Sequence, residues 1–231
     1  MTKENIVELH DVTKIYRQGT IDVPALNGVD LCIPKGGFAA VSGPSGSGKT
    51  TLFNMIGGLD RPTSGSVVIQ GQDLSSLSQS ALAKLRLFKV GFVFQAYNLV
   101  PVLTAYENAE LVLAMQGMPP AERKKRVTKI LTEVGLKDMM HRRPYEMSGG
   151  QQQRVAVARA VVAHPTIVLA DEPTANLDSK TGGALLDMMH SLNEHHGTTF
   201  LLATHDPMVM ERAPRVIHMV DGAIATDQTK D

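Results

Sequence analysis

The chain has 231 residues, with 23 Lys and Arg against 23 Asp and Glu, so its formal net charge is zero. This balance excludes a protein that attracts nucleic acid or anionic lipid through its overall charge, and we expect no nucleic-acid partner. With 43% hydrophobic and 20% charged residues, the composition is that of a globular domain rather than of a disordered chain. The single cysteine, Cys32, cannot form an internal disulfide, which fits a reducing compartment.

The N-terminal segment lacks the apolar stretch of a secretory signal, and no run approaches the roughly 18 apolar residues of a transmembrane helix. We therefore expect a cytoplasmic protein without a membrane segment of its own. At about 150 residues per domain, the length predicts one domain, 1–231, or one domain that carries a smaller lobe.

Seven short apolar runs predict β-strands. Most are apolar throughout rather than alternating, which is typical of strands buried on both faces of a parallel sheet. A hairpin turn is predicted at Asp221-Gly222, directly after the last run. The runs cover residues 6–9, 38–42, 67–70, 90–94, 167–170, 199–203 and 216–220.

Helical periodicity occupies the segments between these runs, which indicates an α/β fold. Between residues 99 and 147 the pattern is helical without any strand, and Thr104 with Glu107 predicts a capping box at the start of this segment. We predict an α/β core built from 1–98 and 148–231, with a helical subdomain, 99–147, inserted into it. The clearest helical stripes are Val127, Ile130, Leu131 and Val134, and then Leu185, Met189 and Leu192.

A phosphate-binding loop follows the second predicted strand. Its glycines let backbone N–H groups turn toward phosphate oxygens, and the helix predicted at 51–56 adds the partial positive charge of its N-terminus. Lys49 can then reach the β- and γ-phosphates, and the Thr50 hydroxyl can ligate Mg²⁺. The alternative is a glycine-rich turn without a ligand. The motif is Gly43-Pro44-Ser45-Gly46-Ser47-Gly48-Lys49-Thr50, which fits G-x-x-x-x-G-K-[ST].

Two adjacent carboxylates follow the apolar run 167–170, at the end of a strand where open α/β sheets bind ligands. Asp171 is placed to hold Mg²⁺, directly or through water. Glu172 is placed to take a proton from the water that attacks the γ-phosphate. The alternative is a pair of acids that caps the next element, before Pro173.

A second helix start has the features of an anion-binding site. Ser148 is a good N-cap residue, and Gly149 and Gly150 leave backbone N–H groups accessible. The segment Met147-Ser148-Gly149-Gly150-Gln151 resembles the signature motif of ABC-type ATPases, which is usually Leu-Ser-Gly-Gly-Gln. Met147 in place of leucine is a volume-conserving change. The resemblance covers essentially the whole chain, with the motifs in the family's order.

The resemblance implies a RecA-like P-loop NTPase core with an N-terminal antiparallel β subdomain and an inserted α-helical subdomain, together forming one ABC nucleotide-binding domain. In that family two domains pair head to tail, so that each signature motif, here residues 148–151, closes over the γ-phosphate held by the partner's P-loop. ATP and Mg²⁺ are the implied ligands, and a second copy of the chain is the implied partner.

Four more site residues follow from the resemblance. Tyr16 matches the aromatic residue that stacks on adenine, and Thr51 extends the nucleotide-binding loop. Gln95 matches the glutamine that touches Mg²⁺ or the attacking water, and His205 matches the switch histidine that contacts the γ-phosphate and orders Glu172. The alternatives are an exposed strand aromatic for Tyr16, a polar strand terminus for Gln95 and a structural role for His205.

Two further residues have both a functional and a local interpretation. Asp178 lies in a loop that resembles the one through which paired domains communicate, although it could equally cap the following helix. Glu107 lies near the segment 95–107 where the resemblance places permease docking, although it is also the capping-box partner of Thr104. The basic run 123–126 is predicted to be a solvated helix face.

Within the family, the segments 56–65 and 93–101 look most like the LolD/MacB/FtsE-like branch. The expected function is an ATP-hydrolysing subunit, peripheral on the inner face of the cell membrane, that drives an integral membrane permease for export, lipoprotein release or mechanotransmission. The alternative is an FtsE-like ATPase that regulates cell-wall remodelling or division. A P-loop kinase or GTPase would have no use for the second anion site, and a DNA-repair or ribosome-associated ABC ATPase would need a coiled-coil insertion or a second cassette.

Overall fold

The computed structural model describes residues 4–230, and two β-sheets form its framework. The strands are β1 (Asn5–Gln18), β2 (Ile21–Pro34), β3 (Phe38–Ser42), β4 (Ser64–Ile69), β5 (Gln72–Asp73), β6 (Val90–Val93), β7 (Ile167–Asp171), β8 (Thr199–Thr204), β9 (Arg215–Val220) and β10 (Ala223–Thr229). The α-helices are α1 (Lys49–Ile56), α2 (Gln79–Lys89), α3 (Ala105–Met115), α4 (Pro120–Glu133), α5 (Gly149–Val161), α6 (Ser179–His196) and α7 (Pro207–Arg212). Short 3₁₀ turns lie at Leu74–Ser76, Lys137–Met139 and Pro144–Glu146.

The larger sheet has six strands in the order β10-β9-β3-β8-β7-β6. Five of them run parallel, and β10 pairs antiparallel with β9 through the predicted turn at Asp221-Gly222. Strands β3 and β8 are buried along their whole length, which explains their uninterrupted apolar sequences. Because the strands are parallel, the carboxyl ends of β3, β7 and β8 meet at one edge of this sheet.

The smaller sheet is antiparallel, with the order β2-β1-β4-β5. It confirms the fold class predicted from the resemblance, an α/β core with an N-terminal antiparallel sheet. The periodicity of the sequence, however, predicted only residues 6–9 and 67–70 of it. Strand β2 was missed because the residues at its start, 21–24, are all exposed and include Pro24. Strand β10 was missed for a similar reason, since the residues after Ile224 are exposed.

The six-stranded sheet separates two hydrophobic cores. Phe38 and Ala40 of β3 face a core formed with α3 to α6, whereas Ala39 and Val41 face a core formed with α1 and the antiparallel sheet. This alternation is the two-residue period of a strand whose faces are both covered. The P-loop and α1 are thus held between a rigid parallel sheet and the antiparallel sheet.

The segment between residues 99 and 147 contains α3, α4 and two 3₁₀ turns, and the structure describes no strand within it. The predicted capping box is confirmed, because Thr104 Oγ1 accepts a hydrogen bond from the Glu107 amide at 3.2 Å and the Glu107 carboxylate accepts one from the Thr104 amide at 2.8 Å. The helical subdomain boundaries remain a prediction.

The predicted solvated face at residues 123–126 is wrong for Arg123. Its guanidinium forms an ion pair with Glu110 of α3 at 2.9 Å, and each side chain is only 22% exposed. Arg123 therefore contributes to the packing of α4 against α3, whereas Lys124 and Lys125 are exposed as predicted. Among residues 4–230, no helix is long and apolar enough to cross a lipid bilayer.

Candidate active site

A cleft of about 570 Å³ lies where the carboxyl ends of β3, β7 and β8 meet. The P-loop forms one wall, and side chains from three other loops form the opposite side. The structure thus brings together residues that are far apart in sequence. The lining residues are Pro44, Ser45, Gly46, Gly48, Lys49, Thr50, Thr51, Gln95, Asp171, Glu172 and His205.

The P-loop between β3 and α1 has a backbone that requires glycine. Gly43 and Gly48 have φ angles of 151° and 101°. A Cβ atom on Gly43 would lie 2.3 Å from the carbonyl oxygen of Met219, so no side chain fits there. Lys49 then folds back over the loop, and its Nζ donates hydrogen bonds to the carbonyl oxygens of Gly43 at 2.7 Å and Pro44 at 2.9 Å. The loop is a closed cradle with a cation at its centre.

The backbone N–H groups of this cradle are available to an anion. Within residues 4–230, the amides of Gly46, Gly48, Lys49 and Thr50 have no hydrogen-bond acceptor. All four lie in the turn that leads into α1 or in its first turn, where the helix dipole favours negative charge. The donor set therefore fits a triphosphate.

Oxygen atoms suited to Mg²⁺ lie next to this cradle. The Thr50 hydroxyl donates a hydrogen bond to Asp171 Oδ2 at 3.2 Å. Burial raises the pKa of the Asp171 carboxyl and Glu172 adds to that effect, whereas the hydrogen bond from Thr50 and the charge of Lys49 oppose it. A hydroxyl and a carboxylate in contact are ligands that Mg²⁺ prefers, and a bound cation would offset the burial of the carboxylate charge. The residues fit a magnesium site.

Gln95 lines the same cleft from the loop that follows β6. Its backbone carbonyl accepts a hydrogen bond from Asn176 Nδ2 at 2.9 Å, which joins this loop to the segment that precedes α6. The predicted strand 90–94 ends at Val93, so Gln95 lies two residues after β6, in the turn that follows it.

Glu172 has an uncommon backbone conformation and a carboxylate oxygen without a hydrogen-bond partner in residues 4 to 230. Its backbone has a φ angle of 48°, uncommon for a residue other than glycine, and its amide donates to the carbonyl of Ala203 at 2.9 Å. Glu172 Oε1 lies 2.7 Å from His205 Nδ1, while Glu172 Oε2 is buried and has no partner in the part of the chain that the structure describes. Strained backbone and orphaned polar atoms both concentrate at functional sites.

The signature-like segment does not reach this cleft within one chain. Ser148 caps α5 by accepting a hydrogen bond from the Gln151 amide at 3.3 Å, and Gln151 Oε1 accepts one from the Ser148 amide at 3.0 Å. The predicted N-cap is therefore part of a full capping box. Residues 148, 150 and 151 line a separate depression beside Thr181.

Two predicted residues have well-defined contacts outside the lining of the cleft. The Tyr16 hydroxyl donates to Asp60 Oδ2 at 3.0 Å, in the loop that follows α1. Asp178 caps α6, since its carboxylate accepts from the amides of Lys180 at 3.1 Å and Thr181 at 3.0 Å. The capping interpretation of Asp178 is confirmed, and its role in dimer communication remains a prediction.

Sequence reasoning missed two polar residues that connect α5 to the loops of the cleft. Gln153 is fully buried, and its Nε2 donates to the carbonyl of Pro173 at 2.7 Å, one residue after Glu172. Arg159 donates to the carbonyl of Tyr97 at 3.0 Å, close to Gln95, and burial lowers the pKa of Arg159. The position of Gln153 four residues before Val157, on the buried face of the helix, is the pattern that could have revealed it.

Residues 26–175 match a protein-family model described as "ABC transporter". The chain belongs to the ABC transporter family. It is 47% identical over 223 residues to the lipoprotein-releasing system ATP-binding protein LolD 1 of Rhodopseudomonas palustris, with 96% of this chain and 99% of that protein covered. An uncharacterized ABC transporter ATP-binding protein of Thermotoga maritima is also 47% identical, over 221 residues, with 96% of this chain and 94% of that protein covered.

Other ABC relatives are longer. The macrolide export ATP-binding/permease protein MacB of Syntrophobacter fumaroxidans is 46% identical over 222 residues, which cover 95% of this chain but only 31% of MacB. Among solved structures, a dimer of the ATP-binding cassette MJ0796 in a post-hydrolysis state with ADP and Pi has a TM-score of 0.89 and 43% identity, covering 97% of this chain and 99% of that one. These findings confirm the predicted family, fold class and ATPase activity, and they match the LolD/MacB-like branch.

Proposed function

We propose that the protein is the ATP-binding, ATP-hydrolysing subunit of an ABC transporter, that it pairs with a second copy around two Mg–ATP, and that it drives a separate integral membrane permease from the cytoplasmic face of the cell membrane. The observation that carries the proposal is the contact between Glu172 and His205 on the side of the cleft that faces the P-loop. The printed functions of the LolD and MacB relatives support lipoprotein release or export as its output.

Nucleotide binding rests on the P-loop. The free amides of the cradle donate hydrogen bonds to the triphosphate oxygens, and Lys49 exchanges its hydrogen bonds to Gly43 and Pro44 for contacts with the β- and γ-phosphates. Thr50, Asp171 and Gln95 would hold Mg²⁺, which neutralises charge on the phosphates when bound. The raised pKa of Asp171 supports this arrangement, since the carboxylate is held charged only at a cost.

Glu172 acts as the general base of the proposed reaction. The contact of Oε1 with His205 fixes the orientation of the carboxylate, and the buried Oε2 is left without a partner among residues 4–230. Glu172 lines the cleft, and its carboxylate can accept the proton of a water that attacks the γ-phosphate. His205 is 69% exposed, so it can also reach a phosphate in the cleft while it remains beside Glu172, which is 15% exposed.

A second copy of the chain completes the proposed site. Ser148, Gly149, Gly150 and Gln151 form an anion-binding helix start, yet within one chain they lie outside the cleft. A head-to-tail pair would place them over the γ-phosphate of the partner subunit. The dimeric state of the MJ0796 relative supports this arrangement.

An apolar groove of about 520 Å³ supports the permease as partner. It lies between the parallel sheet and α3, beside the loop of Gln95, and its rim includes Leu59 and Met115, which are 50% and 66% exposed. Exposed apolar surface next to the nucleotide cleft is suited to a membrane subunit whose movement follows ATP binding.

The test of the pairing mechanism is the substitution Glu172→Gln. We expect it to retain ATP binding, to lower turnover at least 100-fold because the general base is lost, and to accumulate an ATP-bound dimer. Size-exclusion chromatography with light scattering, with and without Mg–ATP, measures the dimer. Glu194→Gln on the exposed face of α6 is the matched control. A variant that turns over ATP normally, or stays monomeric with saturating ATP, would contradict the proposal.

The partner is identified by affinity purification of the protein from membranes, followed by mass spectrometry. We expect an integral membrane permease in stoichiometric amount. Recovery of a division or cell-wall protein instead would favour the regulatory alternative, because the ATP site is the same in both.

A further inference from the structure

Asp60 lies in the loop between α1 and β4, where it binds two side chains of β1. Its Oδ2 atom accepts hydrogen bonds from the Tyr16 hydroxyl at 3.0 Å and from Lys14 Nζ at 2.8 Å. Its Oδ1 atom accepts one from the Arg61 amide at 2.7 Å. Both oxygens of this carboxylate are therefore engaged, and the edge of the Tyr16 ring that carries the hydroxyl is fixed.

Lys14 fixes one face of the same ring. Its ammonium group lies 4.8 Å from the centre of the Tyr16 ring, within the range of a cation–π contact, and also donates to the carbonyl of Arg61 at 2.7 Å. The Lys14 side chain is only 12% exposed, which makes this position a stable one. With one face under a cation and its edge held by Asp60, Tyr16 has one face left for a planar ligand.

The same loop fixes the distance from the ring to the P-loop. The Thr63 amide donates to the carbonyl of Thr13 at 2.7 Å, and the Ile15 amide donates to Thr63 Oγ1 at 3.0 Å, so the loop is attached to β1 on both sides of Lys14. Helix α1, which begins at Lys49 of the P-loop, leads directly into this loop. The Tyr16 ring and the phosphate cradle are thus held by one continuous segment.

At neutral pH the protonation states of Asp60 and Tyr16 keep the hydrogen bond between them intact. Burial opposes ionisation of Asp60, but the hydrogen bonds from Lys14, the Arg61 amide and Tyr16 outweigh it and lower the pKa of Asp60. Burial raises the pKa of Tyr16, and Asp60 raises it further. Tyr16 therefore remains a donor while Asp60 remains an anion.

We propose that Asp60 and Lys14 are a pair of positioning residues for the nucleotide. They hold the Tyr16 ring as a platform on which the base stacks while the triphosphate occupies the P-loop. The inference rests on the proposed function, because it takes Tyr16 as the base-binding ring. It goes beyond that function by making base affinity depend on two residues that do not touch the nucleotide.

The test compares two ligands on the full chain. Calorimetry with Mg²⁺ measures the affinity for ATP, which has a base, and for inorganic tripolyphosphate, which has none. We expect Tyr16→Ala to weaken ATP binding by roughly 5-fold to 100-fold, the range for loss of one stacked base, and Asp60→Ala and Lys14→Met by about 5-fold. Tripolyphosphate affinity should stay within about 2-fold of the wild type, because the cradle is intact. Asp22→Asn, an exposed carboxylate on the same hairpin, is the control.

Equal weakening of ATP and tripolyphosphate by Asp60→Ala would overturn the inference, since the loop would then only support the P-loop. Unchanged ATP affinity in Asp60→Ala, with a loss in Tyr16→Ala, would also overturn it. If Tyr16→Ala itself binds and hydrolyses ATP normally, the inference fails while the proposed ATPase function stands. Should Asp60→Ala not fold, Asp60→Asn retains an acceptor for Tyr16 and removes the charge paired with Lys14, and the same preferential loss of ATP affinity is expected, at about 2-fold to 3-fold.

Discussion

The carboxylate of Asp171 is expected to reduce the stability of the nucleotide-free protein. It is half-buried at the end of β7, it receives one side-chain hydrogen bond, from Thr50, and it lies beside Glu172. Asparagine has the same shape and retains an oxygen for Thr50, but it has no charge to bury. We therefore predict that Asp171→Asn makes the nucleotide-free protein more stable while it removes a ligand for Mg²⁺.

The pH dependence distinguishes this explanation from better packing. An unfolded chain ionises Asp171 near its usual pKa of 3.8, whereas burial raises the pKa in the folded protein. Between those two values the folded state binds more protons than the unfolded state, so this group lowers the free energy of unfolding as the pH rises. Below pH 3.8 both states hold the proton and the group has no effect. The free energy of unfolding of Asp171→Asn must therefore exceed that of the wild type by an amount that grows from acid pH to neutral pH.

The expected gain at pH 7.5 is about 1 kcal/mol, typical when a costly active-site charge is removed, which raises the Tm of a chain of this size by about 2–4 °C. Differential scanning calorimetry without nucleotide, from about pH 3.5 to pH 8, measures it. With Mg–ATP at 100 times Kd the wild type should gain about 2.7 kcal/mol, and the variant should lose most of that gain. A variant less stable than the wild type at pH 7.5, or a Tm difference that does not change with pH, would refute the reasoning. Asp22→Asn again serves as the exposed control.

Three further substitutions have clear expected outcomes. Lys49→Ala removes the cation of the cradle, so calorimetry should show ATP affinity reduced at least 10-fold; unchanged affinity would exclude a phosphate contact. Ser148→Ala removes the cap of α5 at a cost of about 1 kcal/mol, and we expect turnover to be lost while ATP binding to the monomer is preserved, so a binding defect in the monomer would place Ser148 in the wrong site. Arg215→Ala breaks two hydrogen bonds to Asp227, of 2.8 and 2.6 Å, and one to the carbonyl of Cys32 that joins β9 to β2. Thermal unfolding should show that the free energy of unfolding falls by about 1–3 kcal/mol, while ATPase activity is retained. An unchanged Tm would show that these hydrogen bonds of Arg215 do not stabilise the fold.

The parts of the site that could be predicted are the motifs formed by residues that are adjacent in the sequence. The P-loop needs its glycines at fixed spacing because the backbone itself binds the phosphates, and the strand before it must be apolar on both faces. Asp171 and Glu172 follow a strand of the same kind. Parallel strands end at one edge of a sheet, so these two motifs could be placed in one cleft without knowledge of the packing, whereas Gln95 and His205 were assigned through the family resemblance.

The contacts that could not be predicted join segments far apart in the chain. Tyr16 and Asp60 are 44 residues apart, and nothing in the composition of either segment pairs them. Gln153 and Pro173 are joined through a side-chain amide and a backbone carbonyl, which leaves no pattern in the sequence around Pro173. Strands β2 and β10 were missed because exposed residues break the alternation by which a half-buried strand is recognised.

The glycines of the signature-like segment have a second physical role, which connects the two halves of the proposed site. A Cβ atom on Gly149 would lie 2.7 Å from the Tyr97 hydroxyl, and one on Gly150 would lie 2.5 Å from Thr181 Cγ2, so a side chain at either position would displace Tyr97 or Thr181. Tyr97 lies in the loop of Gln95, and Thr181 lies in the first turn of the helix that Asp178 caps. A force that moves this helix start against a partner's nucleotide would therefore act directly on the loop of Gln95, which lines the chain's own cleft, and on the first turn of α6. Tight packing transmits small displacements of this kind, so the coupling between two paired sites can begin within a single α5 helix.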